Sequence, residues 1–169
     1  MIALTGTPGV GKTTLAAVAV AHGWTVVDLK KMAHEIGAVV AFDEADQADV
    51  LDLDILATSE FPKGNVLVEG HLSHLMPVDA IWVIRLDPGV LRQRLAGRGY
   101  SDAKVVENLE AEALDIILQE ALDQGVPVVQ RDGTRRTPEE LWTSFTENQS
   151  VSPKGYDIEA VDWSDRLPV

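Results

Sequence analysis

The chain of 169 residues contains no cysteine. Disulfide scaffolds, thiolate zinc sites, iron–sulfur clusters and a cysteine nucleophile are therefore excluded, and the composition suits the cytoplasm. Positive charge is also scarce. Fourteen Lys and Arg stand against 27 Asp and Glu, a formal net charge of −13 at pH 7. Such a chain is not expected to grip DNA, RNA or anionic lipid over a broad surface, because like charge repels. Long apolar runs are missing as well: no window reaches the roughly 18 residues of a membrane span. The N-terminus, Met1-Ile2-Ala3-Leu4-Thr5, meets Gly6 with no basic stretch before it, so it reads as mature sequence rather than a secretion signal.

What is present suits one α/β domain. Apolar residues make up 46% of the chain, ample for a core. Short apolar runs at Met1–Thr5, Trp24–Leu29, Asn65–Val68, Ala80–Leu86 and Val126–Gln130 alternate with helical patterns. That alternation predicts a five-stranded parallel sheet covered by helices on both faces. A helix is expected over Thr13–Ala21. The longest should run from about Ala103 to Asp123, with Val106, Leu109, Ala113, Ile117 and Ala121 on one face. A shorter helix follows Thr137-Pro138. Residues 148–169 read as a tail that docks loosely or stays mobile, and the acidic stretch Phe42–Asp54 as a solvated face.

Gly6-Thr7-Pro8-Gly9-Val10-Gly11-Lys12-Thr13-Thr14 matches the phosphate-binding loop G-x-x-x-x-G-K-[ST], placed between an apolar strand and a helix. Glycines Gly6, Gly9 and Gly11 let backbone N–H groups converge on phosphates, and the helix start adds its own unpaired N–H groups. Lys12 supplies a point charge to the terminal phosphates, the Thr13 hydroxyl a ligand for Mg²⁺. A second acid is expected at the end of a neighbouring strand, where Val66-Leu67-Val68-Glu69-Gly70-His71 offers Glu69 as a metal ligand, partly through water, and His71 beside it. His71 and His74 lack a third partner, so zinc is not expected. Arg92, Arg94 and Arg98 form a local reversal of sign, and Arg94 and Arg98 are spaced to share a helix face. Their planar guanidinium groups suit a phosphoryl group in transfer.

Together these motifs resemble the archaeal and eukaryotic adenylate-kinase-like ATPases of small-ribosomal-subunit maturation. The resemblance rests on Gly6–Thr14, Val68-Glu69-Gly70-His71, and Arg94-Leu95-Ala96-Gly97-Arg98-Gly99-Tyr100 running on to Lys104, Glu107-Asn108, Ala111-Glu112 and Glu120-Ala121. It covers roughly residues 1–147. It implies a three-layer P-loop fold of the nucleoside-monophosphate-kinase type, with a monophosphate-binding region over about 27–48 and a short lid over about 97–107. ATP would be held by Gly9, Gly11, Lys12, Thr13 and Thr14, with Arg98 reaching over from the lid. The implied activity is broad-specificity monophosphate kinase (ATP + AMP giving two ADP) and ATPase, acting in late maturation of the small subunit and its rRNA through transient binding of a basic ribosomal protein. A monomer is expected.

No arginine precedes Arg85, so the acceptor region offers a monophosphate only Lys30, Lys31, Lys63 and His34. Modest kinase activity is expected from so few bidentate donors. Two alternatives follow: a nucleotide-switched assembly ATPase with little kinase activity, or a small-metabolite kinase on the same fold.

Overall fold

A computed structural model describes residues 1–44, 48–97, 99–147 and 155–166. In chain order the elements are β1 (Ile2–Thr5), α1 (Lys12–Ala21), β2 (Thr25–Asp28), α2 (Leu29–Ile36), β3 (Val39–Asp43), β4 (Ala48–Leu51), α3 (Leu53–Ala57), β5 (Val66–Glu69), β6 (Ala80–Arg85), α4 (Pro88–Ala96), α5 (Asp102–Ala113), α6 (Ile116–Leu122), β7 (Val128–Asp132), α7 (Pro138–Thr146) and β8 (Tyr156–Ile158). Six strands form one parallel sheet in the order β2-β5-β1-β6-β7-β8, while β3 and β4 pair as a separate antiparallel hairpin.

Central strands read as unbroken apolar runs because both faces of the sheet are buried. Leu4, Leu67, Trp82, Ile84 and Val129 face α1, α4, α5 and α7, whereas Ala3, Val66, Val68, Ile81, Val83 and Val128 face α2, α3 and α6. This is the three-layer α/β P-loop fold. The chain leaves β1 toward β2 and β5 on one side and β6 to β8 on the other, so the strand order reverses at β1. In such sheets ligands bind beyond the carboxyl ends of the strands at that reversal.

Three expectations need correction. The sheet has six strands, not five, because residues 156–158 of the predicted tail add β8 beside β7. A three-residue strand is too short to show a period. Ion pairs hold it instead: buried Arg131 donates to the Asp157 carbonyl at 3.0 Å and pairs with its carboxylate, and Arg136 grips Glu159 through two bonds of 2.7 Å. Next, the long helix is two helices, α5 and α6, broken at Leu114-Asp115, where Asp115 turns left-handed at φ 60°. Its carboxylate there contacts buried Arg85. Finally, part of the acidic stretch is architectural. Asp52 caps α3 through the Asp54 and Ile55 amides, and Asp49 on β4 reaches both Lys30 and His34 of α2 at 2.9 Å.

Among the described residues no helix is long and apolar enough to cross a membrane.

The two tail contacts differ in depth. Arg131 has 3% side-chain exposure and Arg136 33%. Asp157→Ala, which removes the nearer carboxylate of buried Arg131 and leaves it Glu159 Oε1 at 3.9 Å, should destabilise by about 2 kcal/mol, and Arg136→Ala by no more than about 1 kcal/mol. Urea unfolding of both variants checks the order.

Candidate phosphate-binding site

β1 ends at Thr5, and the loop turns at once into α1. Gly6 has φ 138°, and a Cβ there would stand 2.4 Å from the carbonyl oxygen of Ile84 on β6. No side chain fits. The neighbouring strand presses on the loop, and glycine is what allows it. Gly11 precedes α1 at φ 114° and caps it with no side chain, whereas Asp28, Asp52, Asp87, Ser101 and Thr137 cap α2, α3, α4, α5 and α7. The first amides of α1 are thus left for an anion.

Lys12 is buried and its Nζ donates to the carbonyls of Gly6 at 2.7 Å and Thr7 at 3.2 Å, folded back over the loop. Thr13 and Thr14 follow on the exposed first turn. The Thr13 hydroxyl donates to Glu69 Oε1 at 2.9 Å. Strand register explains the meeting: Glu69 ends β5 level with Leu4 of β1 and Asp28 of β2. A hydroxyl and a carboxylate side by side, next to an uncapped helix start, form the oxygen-donor set that Mg²⁺ takes while keeping several waters.

The segment after Glu69 is stapled to β1. Thr5 Oγ1 donates to the His71 carbonyl at 3.0 Å, and Ser73 Oγ to Leu4 and Gly70 at 3.0 and 2.9 Å. Water reaches the His71 ring, but protein crowds it, and desolvation followed by the charge of Lys12 lowers its pKa to about 4; His74, Lys104 and Lys30 push the same way. His71 is therefore a neutral imidazole at pH 7. His74 is wholly buried between the Thr5 hydroxyl at 3.0 Å and Glu120 at 3.2 Å, and burial lowers its pKa too. It is a structural residue, turned away from any shared metal.

Across the loop, Arg94 on α4 donates Nη1 to the Val10 carbonyl at 3.0 Å and more weakly to Gly9 at 3.4 Å. Arg92 is exposed on the same helix. Arg98 lies outside the described residues. Lys12, Thr13, Glu69, His71 and Arg94 are thus gathered at the carboxyl ends of β1 and β5.

With this geometry on view, the similarities are specific. A family model described as an AAA domain matches residues 2–115, more than half of the chain. A protein of Pyrococcus furiosus called "Putative adenylate kinase" is 45% identical over 167 residues, covering 97% of this chain and 91% of its own length. One of the same name from Archaeoglobus fulgidus is 39% identical over 170 residues, with 99% and 93% covered. The chain belongs to this family. Its likeness to these relatives extends beyond residue 147, so the C-terminal segment is part of the shared sequence. Among solved structures, a gluconokinase from Sinorhizobium meliloti 1021 overlaps at a TM-score of 0.47 with 17% identity, covering 88% of this chain and 94% of its own.

Sequence reasoning passed over the buried charges beneath the site. Arg85 and Glu112 are each 2% exposed and paired, Nε to Oε1, at 2.8 Å. One signal was available: Arg85 is a lone charge in the apolar run Ile81–Leu86. A cavity of about 570 Å³ lined by His22, Trp24, Asn65 and Trp142 opens at the amino ends of the strands, away from the phosphate-binding loop.

A histidine whose folded pKa lies below its unfolded value gains its proton more readily when unfolded, so acid destabilises the fold. With His71 near 4 and His74 also lowered, the melting temperature should fall between pH 6.5 and 5. Lys12→Met should move the His71 titration back toward the ordinary value, read by ¹H–¹⁵N NMR of the imidazole.

Proposed function

We propose that this protein is an ATP-dependent nucleoside monophosphate kinase with ATPase activity. The Thr13–Glu69 contact beside the uncapped start of α1 carries the reading, since it joins a phosphate cradle to a metal-ligand pair. The relatives' shared name supports a kinase reading.

In this reading the α1 amides, Gly6, Gly9, Gly11, Thr13 and Thr14 hold the ATP phosphates. Lys12 leaves its loop carbonyls for the terminal phosphates. Thr13 and Glu69 hold Mg²⁺, which neutralises charge on the phosphates. Arg94, and Arg98 from a lid over about 97–107, stabilise the charge on the moving phosphoryl group. The bond from the γ-phosphorus to the ADP oxygen breaks, and a bond to a phosphate oxygen of the monophosphate forms. The acceptor would lie over residues 27–48, near Lys30 and His34.

The ATPase branch has a specific observation in its favour. Asp49 already occupies Lys30 and His34, the cations best placed for an acceptor phosphate. A monophosphate must displace that carboxylate, whereas water need not. In this reading the exposed His71 orients such a water. Release of a bound partner then becomes the useful output. The net charge of −13 suits a basic protein such as one of the small ribosomal subunit, in keeping with a role in late subunit and rRNA maturation.

Lys12→Ala should lower kcat/KM for ATP by about a hundredfold or more, measured with a panel of monophosphates and with water alone. Turnover at the wild-type rate would refute the assigned site. Asp49→Asn should lower the KM for the preferred monophosphate while leaving hydrolysis to water nearly unchanged. An unaltered KM would separate Asp49 from the acceptor site.

A further inference from the structure

Glu112 lies in the last turn of α5 beneath the phosphate-binding loop, and nothing proposed so far uses it. Its carboxylate oxygens accept from three donors on two segments. Oε1 accepts from Arg85 Nε at 2.8 Å and from the Leu86 amide at 2.9 Å. Oε2 takes a short hydrogen bond from the hydroxyl of Thr7, which is 1% exposed. Arg85 also donates Nη2 to the Glu112 carbonyl at 2.6 Å, contacts Asp115, and lies 5.1 Å from the ring centre of Trp163. The carboxylate is therefore held from below by Arg85 and Leu86 at the end of β6, while its remaining oxygen reaches up to the loop.

Thr7 is the second residue of that loop, and its carbonyl is one of the two that receive Lys12 Nζ. Its side chain could point only into the protein, and an apolar residue would fill that space. A hydroxyl there locks the side-chain rotamer to a fixed charge, and with it the backbone on either side. Hydrogen bonds to a charged acceptor are stronger and more directional than neutral ones. A loop that must present several N–H groups to one ligand gains affinity when that shape exists beforehand, because apparent binding weakens by the fraction of molecules in the wrong shape.

We propose that Glu112 is a positioning residue for nucleotide binding, which through the Thr7 hydroxyl holds the phosphate-binding loop in its receptive shape before nucleotide arrives. This rests on the ATP-binding reading above.

Thr7→Val removes the hydroxyl at nearly constant volume and leaves the Arg85–Glu112 pair in place; Thr7→Ser returns the hydroxyl. Calorimetric titration with Mg-ADP and steady-state kinetics in ATP test the idea. Thr7→Val should weaken Mg-ADP binding and raise the ATP KM by about tenfold, with kcat changed much less, since bound phosphates restore the loop. Thr7→Ser should recover most of that loss. Amides of Gly9–Thr13 should exchange hydrogen faster in nucleotide-free Thr7→Val than in wild type. Wild-type affinity in Thr7→Val, equal weakening in Thr7→Ser, or a fall confined to kcat would each overturn the proposal. If Thr7→Val does not fold, Thr7→Ala, which also removes the hydroxyl and leaves the Arg85–Glu112 pair in place, carries the same comparison, and wild-type affinity there is equally fatal. Lys12→Ala separates the two levels. Loss of Mg-ADP binding in Lys12→Ala with none in Thr7→Val refutes only the role of Glu112, whereas wild-type binding in Lys12→Ala refutes the phosphate-binding loop as the nucleotide site and this proposal with it.

Discussion

The backbone of the phosphate-binding loop lies against the end of β6 so closely that Gly6 has no room for a Cβ beside the Ile84 carbonyl, and the rest of the site follows from that approach. It brings the loop over Arg85, the next residue of β6. A buried arginine needs a partner, and Glu112 arrives from α5 to supply one. Asp115 is drawn to the same guanidinium, and the helix breaks there in a left-handed turn. Trp163 closes over the pair from the C-terminal segment. Strand contact, ion pair, helix break and docked tail form one connected arrangement under the loop.

Above the loop the arrangement differs. Helices α2, α3, α4, α5 and α7 begin with side-chain caps, but α1 begins with glycine and exposed threonines. Lysine and neutral histidine meet at the carboxyl ends of β1 and β5, with Glu69 within reach of Thr13. Below the loop the Glu112 carboxylate is engaged by its neighbours, whereas above it the start of α1 carries no side-chain cap, and that is the physical difference between support and site. Between α2 and β4, Asp49 pairs with both Lys30 and His34.

The acidity of the chain also resolves into distinct uses. Asp28, Asp52 and Asp87 cap helices, Asp157 and Glu159 pair the arginines that anchor β8, and Glu112 lies under the loop. Much of the negative charge is consequently structural.

Local chemistry was legible in the sequence wherever a short stretch carries its own constraint. The spacing of Gly6, Gly11, Lys12 and Thr13 between an apolar strand and a helical pattern specifies a loop and helix start, and unbroken apolar runs mark strands buried on both faces. The strand-end position of Glu69 was legible for the same reason. Tertiary structure alone decided what depends on residues far apart in the chain. Thr7 and Glu112 are 105 positions apart, and Arg131 and Asp157 are 26 apart. Nothing local shows that those charges are buried, and burial is what turns a carboxylate from surface decoration into an anchor. The sixth strand and the broken helix come from the same cause: each is set by a buried arginine finding its acid, a choice that exists only once the sheet has formed.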